Sequence, residues 1–372
     1  KDPLFAPSGD KVSRHPTFYD IPDNVPHMCG HPTQSFVPPI RSSTNDSVGT
    51  PTRFRRKHEM NSSPDPSHLP DHDSVYDGLL GSDDSQWAFG TDFEDPLAGV
   101  DTAVPDGVDR HDLAAYCLML GDDALVMSHR LSQWCSNAPD LEEDIALANI
   151  SLDLLGQARL LLARAAAADP SVVPALPDGS PVPPEDALAY FRGDREFHNV
   201  RLTETDNGDF AVTMARLLLF STWRLALLQR LAASRDHVLS AVAVKGVKEM
   251  TYHRDYAGRW FLTLARGTEE SRRRLVDGLL ATWPLHAELF ATHDVERRVA
   301  EAGVGVDPTD VADEVDVLLE QVFSMSGVDR PDVAPLAGVR GETGRDGLHT
   351  EAFSRLLAEM QVVARAHPMG SW

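Results

Sequence analysis

One stretch constrains this chain more than any other. Phe210 to Arg235, FAVTMARLLLFSTWRLALLQRLAASR, has apolar residues at helical spacing but contains no Asp, Glu or His. It lies between long helical segments that do carry acids and histidines, Leu141–Ala168 before it and Leu239–Ala265 after it, the latter with Glu249 and His253. A four-helix carboxylate bundle that holds two irons needs an inward acid from every helix, and a Glu-x-x-His from two of them. A bundle helix without one candidate ligand predicts a bundle from which the metal chemistry has been removed, and hence a scaffold or partner role.

The rest of the composition is uneven. About fourteen of the 26 prolines precede residue 110, in a stretch rich in Ser, Asp, His and Thr with hardly any apolar periodicity. Such a segment cannot bury enough surface to offset an ordering entropy of roughly 1–2 kcal/mol per residue. Residues 1–75 are therefore expected to be a disordered or poorly ordered extension, and residues 76–372 the helical domain. The chain opens with Lys1 rather than Met, which reads as a cloning remnant or a misassigned upstream start. The net charge of −23 argues against non-specific nucleic-acid binding, which needs Lys and Arg to neutralise phosphates. Cys29, Cys117 and Cys135 form no CxxC pair and no even disulfide set, so a reducing cytoplasm is expected. No run approaches the roughly eighteen apolar residues needed to span a bilayer, and no signal peptide is visible, so no membrane partner is expected.

The aromatic run Gln86-Trp87-Ala88-Phe89 suggests an arm that packs on a partner or on its own bundle. From Asp112, with His111-Asp112-Leu113 as a capping start, the spacing predicts a helix to about Trp134. Helices are expected over Leu141–Ala168, a short piece around Asp186–Phe191, the acid-free segment, about His237–Arg266, Glu269–Thr292 with a bend at Pro284, Thr309–Phe323 and His349–Ala366. Strand-like alternation is essentially absent. The fold class is all-α, a bundle of long antiparallel helices with peripheral helices added.

Candidate ligands are few. In the second helix Glu142, Asn149, Asp153 and Gln157 share one stripe, spaced by seven, four and four. Asn and Gln are poor iron ligands, so the stripe reads as solvated or as a buried hydrogen-bond network in preference to a relic ligand row. Glu143, in the first turn, favours the positive end of the helix dipole. In Lys248-Glu249-Met250-Thr251-Tyr252-His253 the imidazole falls one residue beyond the di-iron spacing, a turn of about 100° on the helix. Glu249 and His253 are instead expected to meet as a hydrogen-bonded pair. Asp122, Asp123 and His129 default to the surface, with at most one of the two adjacent acids facing inward. His286 and Glu288 have even less support as ligands. Lys245, Lys248, Arg254 and Arg259 read as an ordinary solvated face, or as contacts to an anionic cofactor. No G-x-S-x-G, Walker A or glycine fingerprint is present.

Several strings are family-specific. Leu120-Gly121-Asp122-Asp123, His129 through Cys135, Glu142 through Ile150 and Leu152 through Arg159 resemble the structural (C) subunits of the bacterial ring-1,2-phenylacetyl-CoA epoxidases. So do Asn207 through Ala211, Lys248-Glu249 with Tyr252-His253, Gly347 through Glu351 and Leu357 through Gln361, so that the resemblance covers roughly Tyr76–Trp372. It implies a ferritin-like four-helix bundle with additional peripheral helices. It also implies a hetero-oligomer with a homologous catalytic subunit that holds the di-iron centre, a small accessory subunit, and a separate reductase that delivers electrons from NADPH. On that expectation this chain has no catalytic, cofactor or metal residues of its own, and Asp123, Glu143, Asp153, Glu249 and His253 are vestigial candidates. The alternatives are a self-sufficient di-iron oxygenase built on those five residues, or a CoA-thioester-binding module using Lys245 and Lys248.

Overall fold

Four long helices begin at an aspartate whose side chain accepts backbone N–H groups of the first turn. The computed structural model describes residues 99–370; the expected extension over 1–75 and the aromatic arm Gln86–Phe89 lie outside the described residues. Helix α1 (Arg110–Ser132) is capped by Asp109, α2 (Leu141–Ala168) by Asp140, and two later helices, α5 (Phe210–Leu231) and α6 (His237–Arg266), by Asp209 and Asp236. An aspartate there satisfies orphan donors and meets the positive end of the helix dipole. The first cap therefore lies two residues before the expected His111-Asp112-Leu113 start.

Between the two pairs run α3 (Pro184–Tyr190) and α4 (Arg201–Glu204). After them come α7 (Glu269–Thr282), α8 (Asp294–Glu301), α9 (Ala312–Ser326) and α10 (Glu351–Ala366). The expected bend at Pro284 is a change of helix type: α7 ends at Thr282 and a 3₁₀ segment, Trp283–Phe290, takes over. Proline has no N–H to continue the α ladder and its ring crowds the preceding turn. Among the described residues no β-strand is present, only an isolated bridge between Val339 and Glu342.

Helix α1 packs along α2, α5 along α6, and α2 meets α6 to close the bundle. This is a ferritin-like all-α fold with peripheral helices. The acid-free α5 is the most buried of the four long helices. By length and composition α2 and α5 are each apolar enough to cross a membrane, contrary to the expectation from sequence, yet 94% of the apolar window of α5 is buried inside the protein. A helix that is apolar all round belongs in a core. The same window of α2 is 44% buried, and Leu141, Ile145 and Leu152 stand exposed on its outer side.

Helix α7 crosses α5 at Gly278, where an added Cβ would sit 2.8 Å from Val212 Cα and 3.0 Å from its nitrogen. Gly258 in α6 faces open space. Gly278→Ala is expected to lower stability by about 1–3 kcal/mol through backbone crowding, and Gly258→Ala to raise it by about 0.5–1 kcal/mol through helix propensity. Urea midpoints of the two variants should move in opposite directions.

Candidate functional site

The centre of the bundle is held by a cation that belongs to the chain. Helix α5 brings no carboxylate, but it carries Arg224, which is fully buried. Its Nε donates to Gln157 Oε1 of α2 at 3.0 Å and its Nη1 to the Leu120 carbonyl of α1 at 3.2 Å. Gln157 Nε2 in turn donates to Glu249 Oε2 of α6 at 2.8 Å. One guanidinium and one amide thus tie four helices together. Burial lowers the Arg224 pKa to about 10, so it remains charged at neutral pH, and the nearby Asp123 and Glu249 charges favour that form. Burial pushes the Glu249 carboxyl up, opposed by the Gln157 hydrogen bond and by Lys245, whose Nζ lies 3.6 Å away.

The expected surface placement of Asp122, Asp123 and His129 is corrected by the structure. Both aspartates are fully buried, because segments outside the bundle cover the other side of α1. Asp122 accepts from both Arg192 Nη atoms and from the His198 N–H at 2.9 Å. Asp123 accepts from Arg345 Nη1 at 3.0 Å and Nη2 at 2.9 Å, and from the Val200 N–H at 2.8 Å. Arg345 also reaches Glu296 at 3.5 Å. Burial alone would depress the Arg345 pKa, but Asp123 and Glu296 outweigh it and raise the pKa. His129 is mostly enclosed against Tyr190, and burial lowers its pKa to about 4.

His286 and Glu288, weak candidates as ligands, are both buried in structural roles. His286 stacks on Trp283 at 4.5 Å, and burial lowers its pKa to about 4. Glu288 Oε2 accepts from Arg201 Nε at 2.6 Å and Oε1 from the Gly344 N–H at 3.0 Å.

The expected Glu249–His253 pair does not form. His253 Nε2 instead meets Asp153 Oδ2 of α2 at 3.0 Å, while Glu249 turns to Gln157 and Lys245. Each acid finds its partner on the neighbouring helix because α2 and α6 run antiparallel, pairing position 153 with 253 and 157 with 249. The α2 stripe divides along its length: Glu142 and Asn149 are exposed, Asp153 is half-buried and Gln157 is buried. Glu143 lies at the helix start, where burial and then Asp140 raise its pKa. Among the described residues, Asp140, Glu142 and Glu143 gather within ligating reach of one another, and Asp140 there caps the Glu142 and Glu143 N–H groups. Lys248 and Arg259 are exposed and Arg254 half-buried, as a largely solvated face requires.

A family model described as "Phenylacetic acid catabolic protein" matches residues 100–372. The chain belongs to that family. It is similar to the C subunit of the 1,2-phenylacetyl-CoA epoxidase of Escherichia coli (strain K12), with 39% identity over 261 residues, covering 70% of this chain and 99% of that relative. The family places the chain in phenylacetate catabolism. The match begins at residue 100, so the resemblance expected from Tyr76 onward narrows at its start.

Sequence reasoning missed the cationic half of the network: Arg192, Arg201, Arg224 and Arg345. Only one local signal pointed to it. Gly344 and Gly347 bracket Arg345, and an added Cβ would lie 2.1 Å from the Asn199 carbonyl oxygen and 2.3 Å from that of Arg195. Gly347 also has a φ of +77°, which side-chain-bearing residues rarely adopt. Two such glycines thread Arg345 toward α1.

Arg224→Ala is expected to cost about 3–5 kcal/mol, because it strands Gln157 and removes the positive charge from the acids around it. The triple change Gln157→Leu, Arg224→Met and Glu249→Leu should recover most of that loss, since removing a buried polar network costs less than breaking it. Chemical denaturation of the two variants checks both statements.

Proposed function

We propose that this chain is the non-catalytic, metal-free structural subunit of a multicomponent phenylacetyl-CoA epoxidase, supporting a homologous catalytic subunit that carries the di-iron centre. The observation that carries this reading is Arg224. A fixed guanidinium occupies the middle of the bundle, hydrogen-bonded through Gln157 to Glu249. A dinuclear iron site concentrates positive charge against several carboxylates; here the positive charge is supplied by the protein. The five vestigial candidates do not fit such a site. Asp123 is engaged by Arg345, Glu143 sits at the α2 start, Asp153 and His253 bind each other, and Glu249 is bound by Gln157. A self-sufficient oxygenase would need those groups to converge, and α5 offers no acid to join them. Lys245 faces Glu249, which weakens the case for a CoA-phosphate contact there.

The partner surface in this reading is the outer side of α2 with α6. Leu141, Ile145 and Leu152 are 68%, 53% and 53% exposed, with Val244 and Tyr252 of α6 also exposed. Apolar surface of this kind suits association with another helical bundle. The complex would also include the small accessory subunit and the reductase that draws on NADPH, and would work in the cytoplasm. It would insert one oxygen atom of O₂ into the aromatic ring of phenylacetyl-CoA, with the chemistry in the partner.

Co-expression with the catalytic subunit of the same complex tests this. Metal analysis of the separated chains should find iron only in the partner. Ile145→Glu with Leu152→Glu should abolish co-purification while leaving the thermal midpoint of the isolated chain within a few degrees. Two irons bound by this chain alone, with turnover, would overturn the reading.

A further inference from the structure

The start of α10 is capped by a residue from another helix. Thr350 precedes α10 but makes no side-chain cap, and its buried Oγ1 has no hydrogen-bond partner. Glu204, the last residue of α4, takes over that role. It is fully buried, its Oε1 accepts from the Thr350 N–H at 2.5 Å, and its Oε2 accepts from Asn199 Nδ2 at 3.0 Å. The same Oε2 lies 2.8 Å from His349 Nδ1, and the other ring nitrogen, Nε2, lies 2.9 Å from the Phe197 carbonyl. Both ring nitrogens of His349 therefore face acceptors. A neutral imidazole has one donor and one acceptor, whereas an imidazolium has two donors. The ring is also enclosed, with the Phe353 ring centred 4.4 Å away.

We infer that His349 is held as an imidazolium and that its ion pair with Glu204 is a proton-dependent latch fastening α10 to the bundle. Ionisable groups on the elements around it include Glu204 and Arg201 of α4 and Asp122 and Arg130 of α1. Arg192, Arg195, Glu196 and His198 lie on the segment between α3 and α4, Glu185 and Asp186 on α3, and Arg345, Asp346, Glu351 and Arg355 flank the ring in sequence. Arg130 donates to the Glu204 carbonyl at 2.7 Å and to the Ala352 carbonyl at 2.9 Å, which carries the joint from α1 into α10. Burial alone would lower the His349 pKa, but the Glu204 hydrogen bond and charge, with the Phe197 carbonyl, raise it above 6.5. A folded-state pKa above the unfolded one gives stability that is complete below pH 6.5 and is lost as pH rises through the folded pKa.

Histidine-selective ¹⁵N labelling of the full chain tests the inference, with the His349 signal assigned by its loss in His349→Gln. Both ring nitrogens should be protonated at pH 7, and the ring should titrate above pH 6.5. Amide-exchange protection of α10, corrected for intrinsic rates, should fall about tenfold per pH unit between 6.5 and that midpoint and then level off. In Glu204→Gln the midpoint should drop to 6.5 or below and the slope should vanish. A neutral His349 ring at pH 7, with the proton on Glu204 instead, would overturn the inference. So would α10 protection that does not change with pH while the ring titrates. With that assignment in hand, the ¹⁵N measurement on the wild-type chain decides the matter even where Glu204→Gln fails to fold.

Discussion

Carboxylates buried in a helical bundle must be balanced by positive charge, and the rest of this structure follows from how that requirement is met. An unpaired buried ion costs several kcal/mol, and the cost falls only when opposite charge and hydrogen bonds surround it. Asp122, Asp123, Glu204, Glu249, Glu288 and Glu296 all lie wholly or largely out of water. Their partners are Arg192, Arg345, His349, Lys245 with Gln157, and Arg201. Arg224 stands among them at the point where all four long helices meet.

The peripheral helices are consequences of the same balance. Arg192 lies between α3 and α4 and Arg345 just before α10, so the segments wrapped around the bundle carry the countercharges for α1, while Arg201 of α4 meets Glu288. This explains why two adjacent aspartates on one helix can both be buried. Both take their partners from the second layer of chain that covers α1, Asp122 from Arg192 and His198, and Asp123 from Arg345 and Val200.

A bundle whose centre is filled by a buried arginine commits that interior to structure, while the apolar side of α2 stays uncovered. Helix α5 supports the division: it is nearly all buried and supplies packing and two buried cations, Arg216 and Arg224, while α2 is buried along one side only.

Helix placement was legible in the amino acids, because periodicity, aspartate caps and Pro284 act over a few residues. Helices α2 and α6 lie at their expected bounds, and the acid-free character of α5 was plain from composition. The pairing of charges was not legible. Asp153 meets His253 across one hundred positions, and Asp123 meets Arg345 across more than two hundred. Nothing local distinguishes such an aspartate from a solvated one. The amino-acid order by itself determined that a bundle would form and that one of its helices carries no Asp, Glu or His. Only the tertiary structure decided which acids are buried and which cations face them, because desolvation and Coulomb attraction depend on distances that exist after the helices have packed.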